Sequence, residues 1–254
     1  MHTSSISPTK LGMSRWKAAG IHLGISVALA SLVVLLLYFL WYPSPYFDAM
    51  GGKFLLVVLV GVDVVLGPLI TLIIFNTKKK SLKFDLAVIA FLQIAALGYG
   101  VYVMYQARPV FVVYSRGAFT VVPANDIEPE RLETVKRTEF RHLTQSGPVF
   151  TYNAPPKSSE DLVTLMTATE GLAPEFYLPY HEKASLVAKE GKPLTELLKR
   201  RPNIRELVSG ELKKVKKDEK DVVYFPMLAK TMNMTALCDA VSGEILAVLP
   251  VDPL

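Results

Sequence analysis

The sequence has almost no cysteine, since Cys238 is the only one in 254 residues. A single cysteine excludes an internal disulfide and a metal site built from several thiolates, and we interpret it as a small core residue of a strand. The sequence also lacks a glycine-rich phosphate loop and the HExxH and GxSxG motifs, and His142 and His181 have no ligand spacing. We therefore expect no enzymatic activity, no cofactor and no bound metal.

Excess charge of one sign is missing from the C-terminal part of the chain. Residues 107–254 hold 20 basic and 20 acidic residues, whereas residues 1–106 hold eight Lys/Arg against three Asp. The whole net charge of +5 therefore lies beside the apolar stretches of the N-terminal part. Membrane topology and anionic lipid headgroups account for basic residues at such places, so the charge does not indicate nucleic-acid binding.

What the sequence does contain is three long apolar stretches, at about residues 21–42, 54–75 and 86–105. Each is close to the ~20 residues that a helix needs to cross a hydrocarbon core of ~30 Å. Lysines and arginines precede the first stretch and separate the second from the third, which places both segments in the cytoplasm by the positive-inside rule. The sequence thus predicts a multi-pass protein of a bacterial inner membrane, in contact with the lipid bilayer, with its C-terminal part in the periplasm.

These stretches divide the chain into three predicted parts. Residues 1–15 are a cytoplasmic tail that we expect to be disordered, residues 16–106 a three-helix transmembrane domain, and residues 107–254 a periplasmic α+β domain. The predicted fold class is therefore a membrane-anchored α+β protein.

Hydrophobic patterns and turn signals predict the elements of the periplasmic domain. It begins with a β-hairpin over residues 110–114 and 118–122. Helices follow in the middle, at residues 126–137, 158–171, 193–201 and 204–215. The C-terminal strands, at residues 222–225, 231–239 and 244–250, predict a β-meander, and we expect the terminal strands to form one sheet.

Small residues repeat along the first apolar stretch. Gly20, Gly24 and Ala28 recur every four residues, which places them on one helix face that another backbone can approach closely. Two interpretations are open. The face packs against another helix of this chain, or it packs against a helix of a partner.

Asp63 lies in the middle of the second stretch, ~15 Å from one end and ~18 Å from the other. A carboxylate costs at least ~2.5–3.5 kcal/mol there, so it must be protonated, partnered or turned into the bundle. Gly67 and Pro68 follow, and Pro68 predicts a kink because it cannot donate a helical hydrogen bond. In one interpretation this patch is a docking point or proton-linked site. In the other, Asp63 bonds Thr71, Gln93 or a tyrosine and only fixes packing.

Aromatic residues flank the apolar stretches. Such residues are typical of interfacial anchors, and we expect that role for them here. They are Trp41, Tyr42, Tyr46 and Phe47 after the first stretch, and Tyr99, Tyr102 and Tyr105 at the end of the third.

A set of motifs runs through the N-terminal part of the chain and recurs at its C-terminal end. They are WYP at residues 41–43 with PYF at 45–47, AMGG at 49–52, GVDVVLGPL at 61–69, KSLKFDLA at 80–87, YQARPV at 105–110, and SGEI at 242–245. Together these motifs resemble the type IV pilin accessory family called TfpX/TfpZ.

The resemblance implies an inner-membrane accessory factor that supports the production or assembly of a cognate pilin, with other pilus assembly components as further partners and no enzymatic activity. A hypothesis for its mechanism follows. Gly20, Gly24 and Ala28 would admit the pilin helix, the patch from Asp63 to Pro68 would contact its polar groups, and the periplasmic domain would recognise its head. The alternative is a receptor-like periplasmic ligand-binding module without catalysis. The sequence leaves open which pilin is served and the oligomeric state.

Overall fold

A computed structural model describes residues 13–168 and 172–253. Most of the predicted tail over residues 1–15, and the end of the predicted helix over residues 158–171, lie outside the described residues. The chain falls into two compact units. One contains the residues up to Val34 and Phe54–Tyr102, and the other contains Leu35–Lys53 and Val103–Leu254.

Three long apolar helices form at the predicted stretches. They are α1 (Arg15–Trp41), α3 (Gly52–Ile74) and α4 (Leu82–Gln106), with a short α2 (Tyr46–Ala49) between the first two. The long helices have 27, 23 and 25 residues, which is enough by length and composition to cross a membrane.

The predicted irregularity of α3 takes the form of a π-helical segment over Gly61–Leu66. The amide of Gly67 donates to the carbonyl of Val62, five residues back. A proline in a regular α-helix clashes with the carbonyl four residues earlier, and a wider turn relieves that clash. Asp63 therefore lies in the widened turn that precedes Pro68.

The C-terminal unit contains one mixed sheet. Its strands are β1 (Pro109–Ser115), β2 (Ala118–Pro123), β3 (Val149–Asn153), β4 (Tyr177–Pro179), β5 (Lys192–Pro193), β6 (Val222–Leu228), β7 (Met234–Asp239) and β8 (Ile245–Leu249). Within the described residues their order is β4-β3-β1-β2-β6-β7-β8, and β5 pairs with β6.

The helices of this unit are α5 (Pro129–Thr134), α6 (Ser159–Thr167), α7 (Ala184–Ala188), α8 (Leu194–Arg200) and α9 (Arg205–Val215). Ser158 begins α6 with a capping box, because its side chain accepts from the Asp161 amide and the Asp161 carboxylate accepts from the Ser158 amide. The predicted helix over residues 126–137 is shorter than expected, since Pro129 begins it and Val135 is extended.

The predicted hairpin and meander are confirmed, and a two-residue parallel ladder joins them. Phe119 pairs with Met227 and Thr120 with Leu228, which makes the terminal strands one sheet. The sequence did not reveal β3, which runs parallel to β1, or the three-residue β4 that extends the sheet at its edge.

Two apolar clusters hold the sheet to its helices. One packs α8 and α9 on the meander, and the other packs the hairpin against the segments around α5. Their most buried members include Leu194, Leu197, Val208 and Leu237 in the first cluster, and Val110, Phe111 and Val113 in the second. Cys238 is fully buried in β7, as predicted for a core residue.

Asp239 closes the last turn of the meander with its buried carboxylate. The carboxylate accepts hydrogen bonds from the amides of Val241 and Ser242, at 3.0 and 2.8 Å, and from the Lys217 ammonium. The Lys217 hydrogen bond, followed by that of the Ser242 amide, holds the pKa of the Asp239 carboxyl well below its usual range.

Replacing Asp239 with asparagine is expected to lower the free energy of unfolding by about 2–3 kcal/mol at pH 7, because charge-assisted hydrogen bonds are lost. The lowered pKa means that this contribution is fully present above the unfolded-state pKa of about 3.9 and disappears as the pH falls through the folded-state value. Denaturant unfolding of the detergent-solubilised wild type and variant at pH 7 and pH 3 measures the contribution of the carboxylate to the free energy of unfolding.

The matched control is Asp218→Asn, because Asp218 is exposed and lies 3.9 Å from its partner Lys220. That variant should unfold like the wild type. A difference between Asp239→Asn and wild type that stays the same at both pH values would contradict the assignment.

Candidate functional site

One face of α3 is lined with polar and small residues. Asp63, Gly67 and Thr71 follow one another at four-residue intervals, and all three are buried together with Pro68. Asp63 is 6% exposed and Thr71 3%. A residue spacing of four places side chains on the same side of a helix, so this line is the inward face of α3.

Two polar side chains from the other helices contact this face. Nδ1 of His22 in α1 lies 2.6 Å from Oγ1 of Thr71. Nε2 of Gln93 in α4 donates to the backbone oxygen of Asp63 at 3.4 Å. The Gln93 amide occupies the space beside Gly67, where an added Cβ would overlap it. A larger residue at position 67 would therefore displace the end of the Gln93 side chain. We call His22, Asp63, Thr71 and Gln93 the polar cluster.

The side chains proposed from the sequence as partners of the Asp63 carboxylate form hydrogen bonds elsewhere. Gln93 reaches the backbone of Asp63, and Thr71 pairs with His22. Within the described part of the chain, Asp63 Oδ1 and Gln93 Oε1 are buried without a hydrogen-bond partner. His22 is close enough to interact electrostatically with Asp63. Asp63 is thus turned toward the other helices, one of the three solutions expected from the sequence.

The predicted small-residue stripe of α1 points away from this cluster. Gly20, Gly24 and Ala28 are exposed, and no atom of another helix lies within 4 Å of a Cβ added at Gly20 or Gly24. The inward face of α1 is instead formed by residues such as His22 and Ser26. Packing of the stripe against another helix of this chain therefore does not occur among the described residues. We call Gly20, Gly24 and Ala28 the open face of α1.

The structure consequently separates the six candidate residues into two groups. Asp63, Gly67 and Pro68 are enclosed between helices, whereas the open face lies on the opposite side of α1 from His22. A single partner helix lying on the open face cannot also touch the Asp63 carboxylate in this arrangement.

Part of the expected aromatic anchor is buried in the C-terminal unit. Tyr42, Tyr46 and Phe47 are at most 8% exposed, and the Tyr42 hydroxyl donates to the backbone oxygen of Met104 at 2.6 Å. An interfacial role is therefore wrong for these three residues, because their rings are covered by their own chain. Tyr99 and Tyr102 are exposed, and anchoring stays a prediction for them.

The loop that carries these aromatic residues is hydrogen-bonded to the segment after β6. The Thr231 amide donates to the Ala49 carbonyl at 3.0 Å, and its hydroxyl donates to the Asp48 carbonyl at 3.0 Å. Gly51 has a φ of +81°, and an added Cβ would lie 3.1 Å from the Thr231 methyl. The AMGG motif thus forms a tight turn that fits against the sheet unit.

Sequence reasoning also missed Arg108, which lies between α4 and β1 and is 3% exposed. Its guanidinium donates to the carbonyls of Tyr105 and Thr144, at 2.7 and 3.1 Å, and lies 3.8 Å from the centre of the Tyr105 ring. Burial lowers the pKa of Arg108. The available signal was the arginine of the YQARPV motif, at the point where the apolar stretch ends.

Comparison with known proteins places the chain in a family. Residues 11–51 match the family model of the fimbrial assembly protein FimB. A fimbrial assembly protein of serogroup I from Dichelobacter nodosus is 30% identical over 248 residues, which cover 90% of this chain and 96% of the relative. The chain belongs to the fimbrial assembly protein family.

Two further fimbrial assembly proteins of Dichelobacter nodosus are similar to it. The serogroup E1 protein is 28% identical over 248 residues, with 90% of this chain and 96% of the relative covered. The protein of serogroups C1 and C2 is 40% identical over 113 residues, with 44% and 86% covered. No solved structure matches the chain.

Membership of the fimbrial assembly family confirms the relationship suggested by the sequence motifs and supports a role in fimbrial biogenesis. The family model covers α1 and the loop after it. It therefore includes both the open face of α1 and the buried aromatic residues of the loop.

Proposed function

We propose that this fimbrial assembly protein is an inner-membrane accessory factor that assists a cognate type IV pilin without enzymatic activity. In this proposal α1, α3 and α4 span the membrane, the N-terminus is cytoplasmic and the sheet unit is periplasmic. The lengths and apolar composition of the three helices support it, as does the clustering of lysines between α3 and α4.

The observation that carries the proposal is the open face of α1. Small residues let two helix backbones approach closely inside a bilayer, where van der Waals packing rather than hydrophobicity drives association. Gly20 and Gly24 have free space above them, so a second helix could lie there without any rearrangement of the described residues. The apolar helix of a pilin that waits in the same membrane is the occupant that fits the family assignment.

The polar cluster supports this face indirectly. His22 lies on the inward side of the helix that carries Gly20 and Gly24, and its bond to Thr71 ties α1 to α3. The cluster thereby sets which side of α1 faces the lipid. Direct contact of Asp63, Gly67 or Pro68 with a pilin, as first proposed from the sequence, would require a neighbouring helix to move aside.

Gly24→Leu tests the proposal, because the new side chain would fill the open face. Loss of close helix packing that weakens pilin binding by about 1.4 kcal/mol corresponds to tenfold lower affinity, and surface fimbriae should fall by a similar factor. Gly98→Leu is the matched control, since Gly98 of α4 also has nothing within 4 Å of an added Cβ. Immunoblots of sheared fimbriae and of this protein in the membrane fraction measure both effects.

Normal piliation in Gly24→Leu cells, with the variant present at the wild-type level, would refute docking on the open face. An equal loss in both variants would show only that large residues disturb the helices. Photo-crosslinking from position 20 or 24 should yield a pilin adduct that position 98 does not yield.

A groove in the C-terminal unit favours a second candidate, a ligand-binding module without catalysis. It has a volume of about 690 Å³ and is lined by residues of β1, β3, α6 and the hairpin turn after β1, among them Tyr114, Arg116, Tyr152, Leu165 and Met166. Such volumes are typical of small-molecule sites. Purification in mild detergent separates the two candidates, because a co-purifying pilin supports the first and a co-purifying small ligand the second.

A further inference from the structure

Two buried acceptors of the polar cluster are not reached by its donors. Nε2 of Gln93 donates to the backbone oxygen of Asp63, and the His22 and Thr71 side chains bond each other. Among the described residues this leaves Asp63 Oδ1 and Gln93 Oε1 buried without a donor. A buried acceptor that lacks a partner costs about 1–3 kcal/mol, and a charged one costs more. A proton or a small cation placed between these oxygens would remove that cost.

The backbone adds a weakly bonded acceptor at the same place. Pro68 has no amide hydrogen, so one carbonyl in the preceding turn has no helical donor. Gln93 reaches the Asp63 carbonyl only at 3.4 Å, which is a long hydrogen bond. In secondary transporters, backbone carbonyls at breaks in membrane helices coordinate sodium ions or protons.

The charge of the cluster selects the kind of cation. Asp63 supplies one negative charge, and the titratable group that faces it from α1 is His22, whereas α4 contributes the neutral Gln93. No group of three or more His, Cys, Asp or Glu residues that could hold a metal ion exists among the described residues. One carboxylate with neutral oxygen ligands balances one positive charge and is a poor site for a divalent or transition metal.

We infer that Asp63, with the oxygen atoms of Gln93 and of the widened turn before Pro68, binds one small monovalent cation, either a proton or an ion of sodium's size. In the first case the proton forms an O–H bond at Asp63 Oδ1, which becomes a donor. In the second case the ion is held by the carboxylate, the amide oxygen and a backbone carbonyl. Both neutralise the buried charge, and neither depends on pilin docking.

The experiment is thermal unfolding of the full chain in mild detergent. One series varies sodium chloride against choline chloride at constant ionic strength and pH, and the other varies pH between 5 and 9 in choline chloride. The variants are Asp63→Asn, which keeps the shape but removes the charge, and Gln93→Leu, which removes the amide oxygen. The control is Asp48→Asn, because Asp48 forms an exposed pair with Lys53 at 2.7 Å.

If the site binds a sodium-sized ion, sodium should raise the melting temperature of the wild type and of Asp48→Asn by roughly 2–4 °C. The rise should be smaller in Gln93→Leu and absent in Asp63→Asn. If the site binds a proton, sodium should have no effect on the melting temperature. The melting temperature of the wild type should then rise relative to that of Asp63→Asn as the pH falls. If wild type and Asp63→Asn respond identically in both series, the inference is wrong.

Discussion

Replacement of Gly243 by alanine is expected to destabilise the sheet unit by about 3–4 kcal/mol. Gly243 has a φ of +74°, which costs an L-residue roughly 1–2 kcal/mol, and overpacking adds about 1–3 kcal/mol. The added Cβ would overlap the backbone carbonyl of Ala184, and no rotamer change can relieve a clash with backbone. The Gly243 carbonyl also accepts from the Tyr180 hydroxyl at 2.7 Å, so moving this turn would break that hydrogen bond.

Gly117→Ala is the matched control for this prediction. Gly117 has a φ of +82°, but nothing lies within 4 Å of its added Cβ, so only the backbone cost of roughly 1–2 kcal/mol applies. Denaturant unfolding of the detergent-solubilised chain, followed by tyrosine fluorescence, gives both free energies. Equal losses in the two variants would show that the approach of Ala184 to the turn does not matter.

Arg108→Ala is expected to lower the free energy of unfolding by roughly 3–5 kcal/mol. Two charge-assisted hydrogen bonds to the carbonyls of Tyr105 and Thr144 are lost, each worth about 1.5–3 kcal/mol. The contact with the Tyr105 ring is lost as well. Arg108→Lys should recover only part of the stability, because an ammonium keeps the charge but cannot bond both carbonyls and stack on the ring.

Arg205→Ala serves as the control for Arg108, since Arg205 is 54% exposed and forms a surface pair with Glu219. Its loss should cost about 0–1 kcal/mol. The same unfolding measurement applies to all three variants. If Arg108→Ala also lost only about 0–1 kcal/mol of unfolding free energy, the buried guanidinium would not be needed to hold the residues between α4 and β1 in place.

Features that depend on neighbouring residues in the chain were predictable. The three apolar stretches could be predicted, because helix length and hydropathy require no tertiary information. The hairpin turn at Arg116 and Gly117 and the cap at Ser158 were also predictable, because a turn or cap places its requirements on adjacent residues. The pairing of β3 with β1 could not be predicted, since the two strands are more than thirty residues apart and parallel pairing leaves no local turn signal.

The candidate site shows the same division between local and tertiary information. The sequence located Asp63 in the middle of the second apolar stretch and the break at Pro68, because both follow from counting residues along a helix. It offered Gln93 only as one of several possible partners and did not indicate His22, since a helix can bury either side and only the packing of α1 and α4 selects one.

The sequence by itself determined the number of apolar helices, the α+β class of the C-terminal unit and the family relationship, because these depend on composition, local periodicity and motif identity. Only the tertiary structure decided that Gly20, Gly24 and Ala28 face outward and that Tyr42 and Tyr46 are covered. The physical reason is that the same 3.6-residue periodicity fits more than one orientation of a helix, and the orientation follows from which side chains of other elements complete the packing.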